Sequence, residues 1–187
     1  MALQLPIPKE RTLYLAQQVD QSSINSLTKS IIEINQDDVY ISKLSSIHGF
    51  EYKPEPIEIY IDSYGGYVYQ CLGLLSIIQK SKVPVNTIVT GCAMSCGFLI
   101  AISGHKRYCF DGSTFMYHQV SSGAIGKIKD MEEDVIETKR LQKIIEDHTL
   151  SRTKISAKDL EKCYNEKRDW YMTAKQALRY GVVDQVV

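Results

Sequence analysis

The sequence carries no excess charge of either sign: Lys plus Arg and Asp plus Glu each total 22 in 187 residues. A chain without a net field has no long-range pull toward nucleic acid or an anionic membrane surface. It also does little to keep its own copies apart, which suits a protein that assembles with itself. No apolar run approaches the ~18 residues that a bilayer span needs. Residues 1–8 have neither a basic start nor an unbroken apolar core, so they do not read as a secretory signal. Cysteine is sparse and odd in number: five, without metal-ligand spacing. That argues against a disulfide framework and for a reducing compartment, the cytoplasm. No phosphate-binding glycine loop and no cluster of metal ligands is present, so neither metal nor cofactor is expected. Internal repeats and low-complexity linkers are absent too. What remains is 44% apolar and 24% charged, an ordinary globular composition. The length favours a single domain spanning residues 1–187.

Residues 12–19 read as a short strand. Ser22 and Ser23 can cap a helix whose apolar residues Ile24, Leu27, Ile31 and Ile34 recur at spacings of three and four. Residues 35–56 read mostly as a long loop, with Ser45, Ser46, Gly49 and two prolines as breakers and Val39–Ile41 as a possible strand. A β-branched strand over 57–61 then runs into Asp62-Ser63-Tyr64-Gly65-Gly66, and a helix follows over about 67–80. Residues 85–90 form the next strand, and an apolar helix starts near Met94. Short strands at 107–110 and 114–117, a long helix from Ile128 to His148 and a last helix capped by Thr173 complete the set, with 182–187 as a terminal strand. Strand, glycine turn and helix in alternation imply crossover connections and a largely parallel sheet, an α/β fold.

In such folds function gathers at the carboxyl ends of strands. Gly65-Gly66 offers a backbone with no Cβ, open to close approach by another chain; most such pairs are only turns. Gly91-Cys92-Ala93-Met94-Ser95-Cys96-Gly97 places a serine among small residues between a buried strand and an apolar helix. Free N–H groups and the positive dipole end of that helix would stabilise an oxyanion if Ser95 attacked a carbonyl. Ser95 could equally be a plain helix cap. Of the four histidines, His48 and His148 read as solvated and His105 as a helix C-cap. His118 stands out because it directly follows the apolar strand 114–117. Asp169 precedes an aromatic pair that would bury its surroundings, unless it is a surface aspartate paired with Arg168.

Together these segments resemble a known family. Ile61-Asp62-Ser63-Tyr64-Gly65-Gly66, the Gly91–Gly97 turn, Met116-Tyr117-His118-Gln119, Arg168-Asp169-Trp170-Tyr171-Met172-Thr173-Ala174 and Tyr180-Gly181-Val182-Val183-Asp184 are similar, in order and spacing, to the motifs of ClpP. ClpP is the proteolytic subunit of Clp proteases. The resemblance implies a ClpP/crotonase-like domain of repeated ββα units and a serine endopeptidase. It assigns Ser95 as nucleophile, His118 as general base and then acid, and Asp169 as the group that orients the imidazole. Backbone N–H groups of Gly66 and Cys96 would form the oxyanion hole, with Gly65 and Val68 along an extended substrate peptide. In that family two heptameric rings stack through a protruding helical handle, here about residues 123–150, into a tetradecamer that encloses a chamber. Stacking also orders the triad there. The partners implied are further copies of the chain, a peptide or unfolded protein, and an AAA+ Clp unfoldase.

The chain departs from the family pattern in four places. Tyr64 stands where the family has proline, and Cys96 follows the serine where methionine is usual; a thiol there adds sensitivity to oxidation. Only about eleven residues precede the first strand, which counts against unfoldase-gated entry, and residues 35–56 read as an insertion of roughly a dozen residues. Two other functions stand beside the peptidase: a non-catalytic ClpP-like ring subunit, and an acyl-CoA enzyme of the crotonase type.

Overall fold

The computed structural model describes residues 9–187. Its elements alternate from the start: β1 (Thr12–Leu15), α1 (Gln21–His48), β2 (Ile57–Ser63), α2 (Val68–Lys80), β3 (Val85–Met94) and α3 (Cys96–Ala101). Then come β4 (Arg107–Cys109), β5 (Thr114–Tyr117), α4 (Ile128–Arg152), α5 (Ala157–Asn165), β6 (Trp170–Thr173), α6 (Ala174–Arg179) and β7 (Gln185–Val186). The class is the α/β one expected, although the order is β–α alternation through α3 and a true ββα unit occurs at β4–β5–α4. Helix α5 and strand β6 were not anticipated. Their signals are a Ser156–Asp159 capping box and a strand of only four residues.

The sheet runs β1-β2-β3-β4-β7, all parallel. Strand β3 is long enough to serve two neighbours. Thr87–Val89 pair with β4, while Cys92–Met94 pair with β5. Strand β6 then adds antiparallel to β5, with Tyr117 opposite Trp170. One face is filled by Ile57, Ile59 and Ile61 of β2 against Leu74 and Ile78 of α2, all fully buried. The alternation buried–intermediate along β2 is the period-2 signature of a strand covered on one side.

Residues 35–56 need the main correction. Only their last part, from Gly49 to Pro56, is loop as expected: α1 runs unbroken to His48, and Val39–Ile41 are helical. Its buried stripe continues through Ile31, Ile34, Asp38 and Ile41, at helical spacing. The stripe is hard to see because one member is an aspartate. That carboxylate is neutralised by Arg11, which it binds through both guanidinium ends, and it accepts a hydrogen bond from the Tyr52 hydroxyl at 2.5 Å. Gly49, read as a loop marker, is the left-handed helix cap at φ 71°, its N–H bonded to Ser45 O. At the other end Asp20, not Ser22 or Ser23, caps the helix. Its side chain accepts from Ser23 N at 2.9 Å and its N–H donates to Ser23 Oγ at 3.0 Å.

Helix α4 buries Leu141, Gln142, Ile145 and Thr149. Its earlier half buries nothing: Met131 and Val135, at helical spacing from the later apolar residues, are exposed. Strand β1 ends at Leu15 rather than Val19, though Val19 still bridges to Gly66. Most of the short segment expected over 1–11 lies outside the described residues.

Candidate active site

Three chain segments converge because of strand register. Beyond Met94↔Met116 of the β3–β5 pair, the Ser95 N–H donates to Met116 O at 2.9 Å. The β5–β6 register, Tyr117 opposite Trp170, sets the next residue pair, His118 and Asp169, side by side. These pairings bring residues 95, 118 and 169 to one sheet end.

Ser95 sits at φ 53°, ψ −121° between β3 and α3, a backbone conformation that costs a non-glycine residue on the order of 1–3 kcal/mol. As the N-cap of α3 it forms no capping hydrogen bond with its side chain. The hydroxyl instead meets His118 Nε2 at 2.8 Å, so plain capping does not describe it. For Nε2 to accept, Nδ1 must carry the proton, and Nδ1 faces Asp169 Oδ1 at 3.6 Å. That is an ion-pair approach but too long for a hydrogen bond. Asp169 is exposed, with 55% of its side chain accessible, so the Trp170–Tyr171 pair does not bury it. Arg168 lies over the Trp170 ring at 5.7 Å instead.

The glycine turn stands opposite. A Cβ on Gly65 (φ 97°) would fall 2.7 Å from Met94 O and 2.8 Å from Ser95 Cβ, and one on Gly66 would fall 2.2 Å from Val19 O. Only glycine lets the turn pass this close. Val19 N donates to Gly65 O and Tyr67 N to Val19 O, both at 2.8 Å. By strand alternation the intervening Gly66 N–H points away from Val19, toward the side where Ser95 and Cys96 lie. The Cys96 N–H is the first of α3, in the turn where helical donors have no partner within the helix.

A cleft of about 260 Å³ joins these groups, lined by Tyr64, Gly66, Val68, Ser95, Cys96 and His118 and floored by apolar side chains. Leu99, Met116, Tyr117, Val120 and Ile145 belong to that floor and were missed in the sequence. Ile145 comes from α4, and nothing local ties it to the serine. Gln142, also on α4, accepts from Val120 N at 2.8 Å and holds the segment after His118 in place. Tyr64 is 78% exposed at the rim. Among the other histidines, His48 is exposed as expected, and His105 is exposed but caps no helix: α3 ends at Ala101, and the His105 N–H donates to Val85 O at 2.8 Å while its Nδ1 accepts from Val85 N at 3.0 Å. His148 is not exposed: it is half-buried, with Nε2 2.8 Å from the buried Ser103 Oγ, and burial holds its pKa below the ordinary value. Among the described residues no group of His, Cys, Asp and Glu could hold a metal, and no helix is long and apolar enough to cross a membrane.

Comparison with known proteins gives the family. Residues 4–187 match the family described as Clp protease. A relative named ATP-dependent Clp protease proteolytic subunit, from Deinococcus radiodurans, is 28% identical over 96% of this chain and 81% of its own length. Proteins of the same name from Bacteroides thetaiotaomicron and Mesostigma viride are each 32% identical, over 95% and 96% of this chain and 74% and 72% of their own lengths. The acyl-CoA alternative finds no support among these matches. The chain belongs to the Clp protease family and is a serine endopeptidase.

Proposed function

We propose that hydrolysis is carried by Ser95, His118 and Asp169. The observation that supports this most directly is the 2.8 Å approach of His118 Nε2 to Ser95 Oγ, at a serine held out of helical geometry. His118 takes the hydroxyl proton as Ser95 attacks the scissile carbonyl, then passes it to the leaving amine. The tetrahedral oxyanion is received by the N–H groups of Gly66 and Cys96, each such donor being worth about 2.7–4 kcal/mol. Water, deprotonated by the same imidazole, releases the acyl group. Gly65 and Val68 lie along the substrate strand, whose backbone pairs with the glycine turn. The apolar cleft floor suits an aliphatic or aromatic side chain at the cleaved bond.

Asp169 completes the set by holding the Nδ1 proton. Its 3.6 Å separation and exposure support a site that tightens on assembly. The assembly is a stack of two seven-membered rings joined by the handle around residues 123–150, enclosing peptides or unfolded protein. Relatives are named as subunits of ATP-dependent proteases, so an AAA+ Clp unfoldase is the partner to test. Five unbonded, buried cysteines fit a reducing compartment, the cytoplasm. The test is labelling by a fluorophosphonate, wild type beside Ser95→Ala, with assembly states separated by size. Labelling of the large species that disappears in the variant supports the reading. A well-formed ring that does not label points to a structural subunit.

A further inference from the structure

Two thiols stand directly behind the oxyanion turn. Cys71, on the first turns of α2, is fully buried, and Cys96, on the first residue of α3, is 2% exposed. Cys71 Sγ lies 3.5 Å from the Cys96 carbonyl, and Cys96 Sγ lies 3.2 Å from the Gly66 carbonyl. Both residues proposed to supply oxyanion donors are thus in contact with one or other sulfur. We propose that Cys71 and Cys96 are an oxidisable dithiol, a modification site that a peroxide closes into a disulfide, and that closure switches the neighbouring peptidase site off.

The chemistry of the pair is asymmetric. Burial pushes Cys92 and Cys109 up to about 11, and it raises Cys163 as well. Cys96 alone is pushed down, chiefly by the neighbouring Cys71 side chain; burial opposes this, and the Gly66 backbone and Ser95 side chain add to it. The Cys96 side chain, with burial behind it, raises Cys71. Cys96 is therefore the attacking sulfur, and it lines the cleft that also holds Ser95, a route open to a small oxidant.

In the first step the Cys96 thiolate attacks one peroxide oxygen. The S–O bond forms, the O–O bond breaks, and the departing hydroxide takes a proton to become water. Next, Cys71 sulfur attacks the sulfenic sulfur: the S–S bond forms, the S–O bond breaks, and a second water leaves with the Cys71 proton. Overall two thiols are oxidised by two electrons and one hydrogen peroxide is reduced to two waters. An S–S bond of about 2.05 Å is much shorter than any non-bonded sulfur contact. Closure therefore draws α2 and the start of α3 together in a close-packed interior, shifting the Cys96 N–H and Ser95. Displacement of a reacting group by about 1 Å can cost ~10²-fold in rate.

The switch arm of this inference rests on the peptidase reading; the dithiol arm does not. The full-length protein is treated with hydrogen peroxide, free thiols are alkylated, and non-reducing digests are examined by mass spectrometry alongside model-peptide hydrolysis. The expected result is a Cys71–Cys96 cross-linked peptide in wild type, absent in Cys71→Ala. Hydrolysis falls ~10²-fold and returns with dithiothreitol. In Cys71→Ala the enzyme before peroxide starts at wild-type rate, and the peroxide-driven loss becomes irreversible as Cys96 passes to sulfinic acid. Recovery of both cysteines as alkylated thiols, or of Cys96 as sulfinic acid without cross-link in wild type, overturns the dithiol. A quantitative cross-link with hydrolysis unchanged overturns the switch. Should neither form hydrolyse peptide before oxidation, the peptidase reading fails while the cross-link alone still decides the dithiol.

Discussion

At the scale of single residues, the gap between His118 and Asp169 makes a sharp prediction. The hydroxyl side of the imidazole is set at 2.8 Å and the carboxylate side at 3.6 Å. If Asp169 holds the Nδ1 proton in the working enzyme, Asp169→Asn loses the correct tautomer. The expected fall in kcat is then up to ~10⁴-fold, with KM little changed, read by steady-state hydrolysis of a peptide. A fall of less than tenfold would mean the carboxylate is a bystander. His148 supports a different prediction, because its pKa is held down mainly by burial. The unfolded chain then binds a proton more readily than the folded one, so stability is constant above the unfolded value near 6.5. It declines as pH falls from that value to the lowered folded one, and levels off below. His148→Gln, which keeps a partner for Ser103, should remove that part of the acid sensitivity, measured as Tm between pH 5 and 8.

At the scale of elements, α1 is the informative case. Its extra turns rest on a charged residue inside an apolar stripe. Asp38 is 4% exposed and held by Arg11 and Tyr52. Removing one partner of a buried pair leaves the other charge without compensation. Asp38→Ala should therefore cost about 3 kcal/mol and lower Tm by roughly 6–12 °C, with Arg11 left stranded beside Tyr52. A thermal melt unchanged within ~2 °C would show that solvent already screens the pair. The same element explains why 35–56 was misread. Asp38, Ser45 and Ser46 each weaken the helical pattern locally, and the compensating Arg11 lies outside the segment. Helices α2 and α6 were read nearly to the residue, because their boundary signals are local: a glycine turn before α2 and the Thr173 cap of α6.

For the whole molecule, the unburied half of α4 is decisive. Ile128, Met131, Val135 and Ile136 are all exposed, Ile136 at 68%. Solvent-facing apolar side chains grouped on one helix half mark an interaction surface. If this half is the handle between rings, Ile136→Glu should leave the fold of the protomer intact by circular dichroism. Sedimentation should then show the large assembly reduced to its half, with fluorophosphonate labelling falling in step. An assembly of undiminished size would move the ring contact elsewhere.

Read alone, the amino-acid order determined the α/β class, most helix and strand positions, the Gly65-Gly66 turn and the candidates Ser95, His118 and Asp169, while the oxyanion roles of Gly66 and Cys96 came from the family resemblance. Those signals are short-range: a residue at a strand end, a glycine turn, a histidine after an apolar run. Only the tertiary structure decided which of them meet. The β5–β6 register sets His118 beside Asp169, and the fork in β3 carries Ser95 to Met116. It also placed Cys71 against Cys96 and Ile145 under the cleft. Each of these contacts joins residues more than 20 apart, so no local pattern encodes it. Long-range pairing follows from how the whole sheet buries its apolar face, and that is settled only when every strand has found its neighbour.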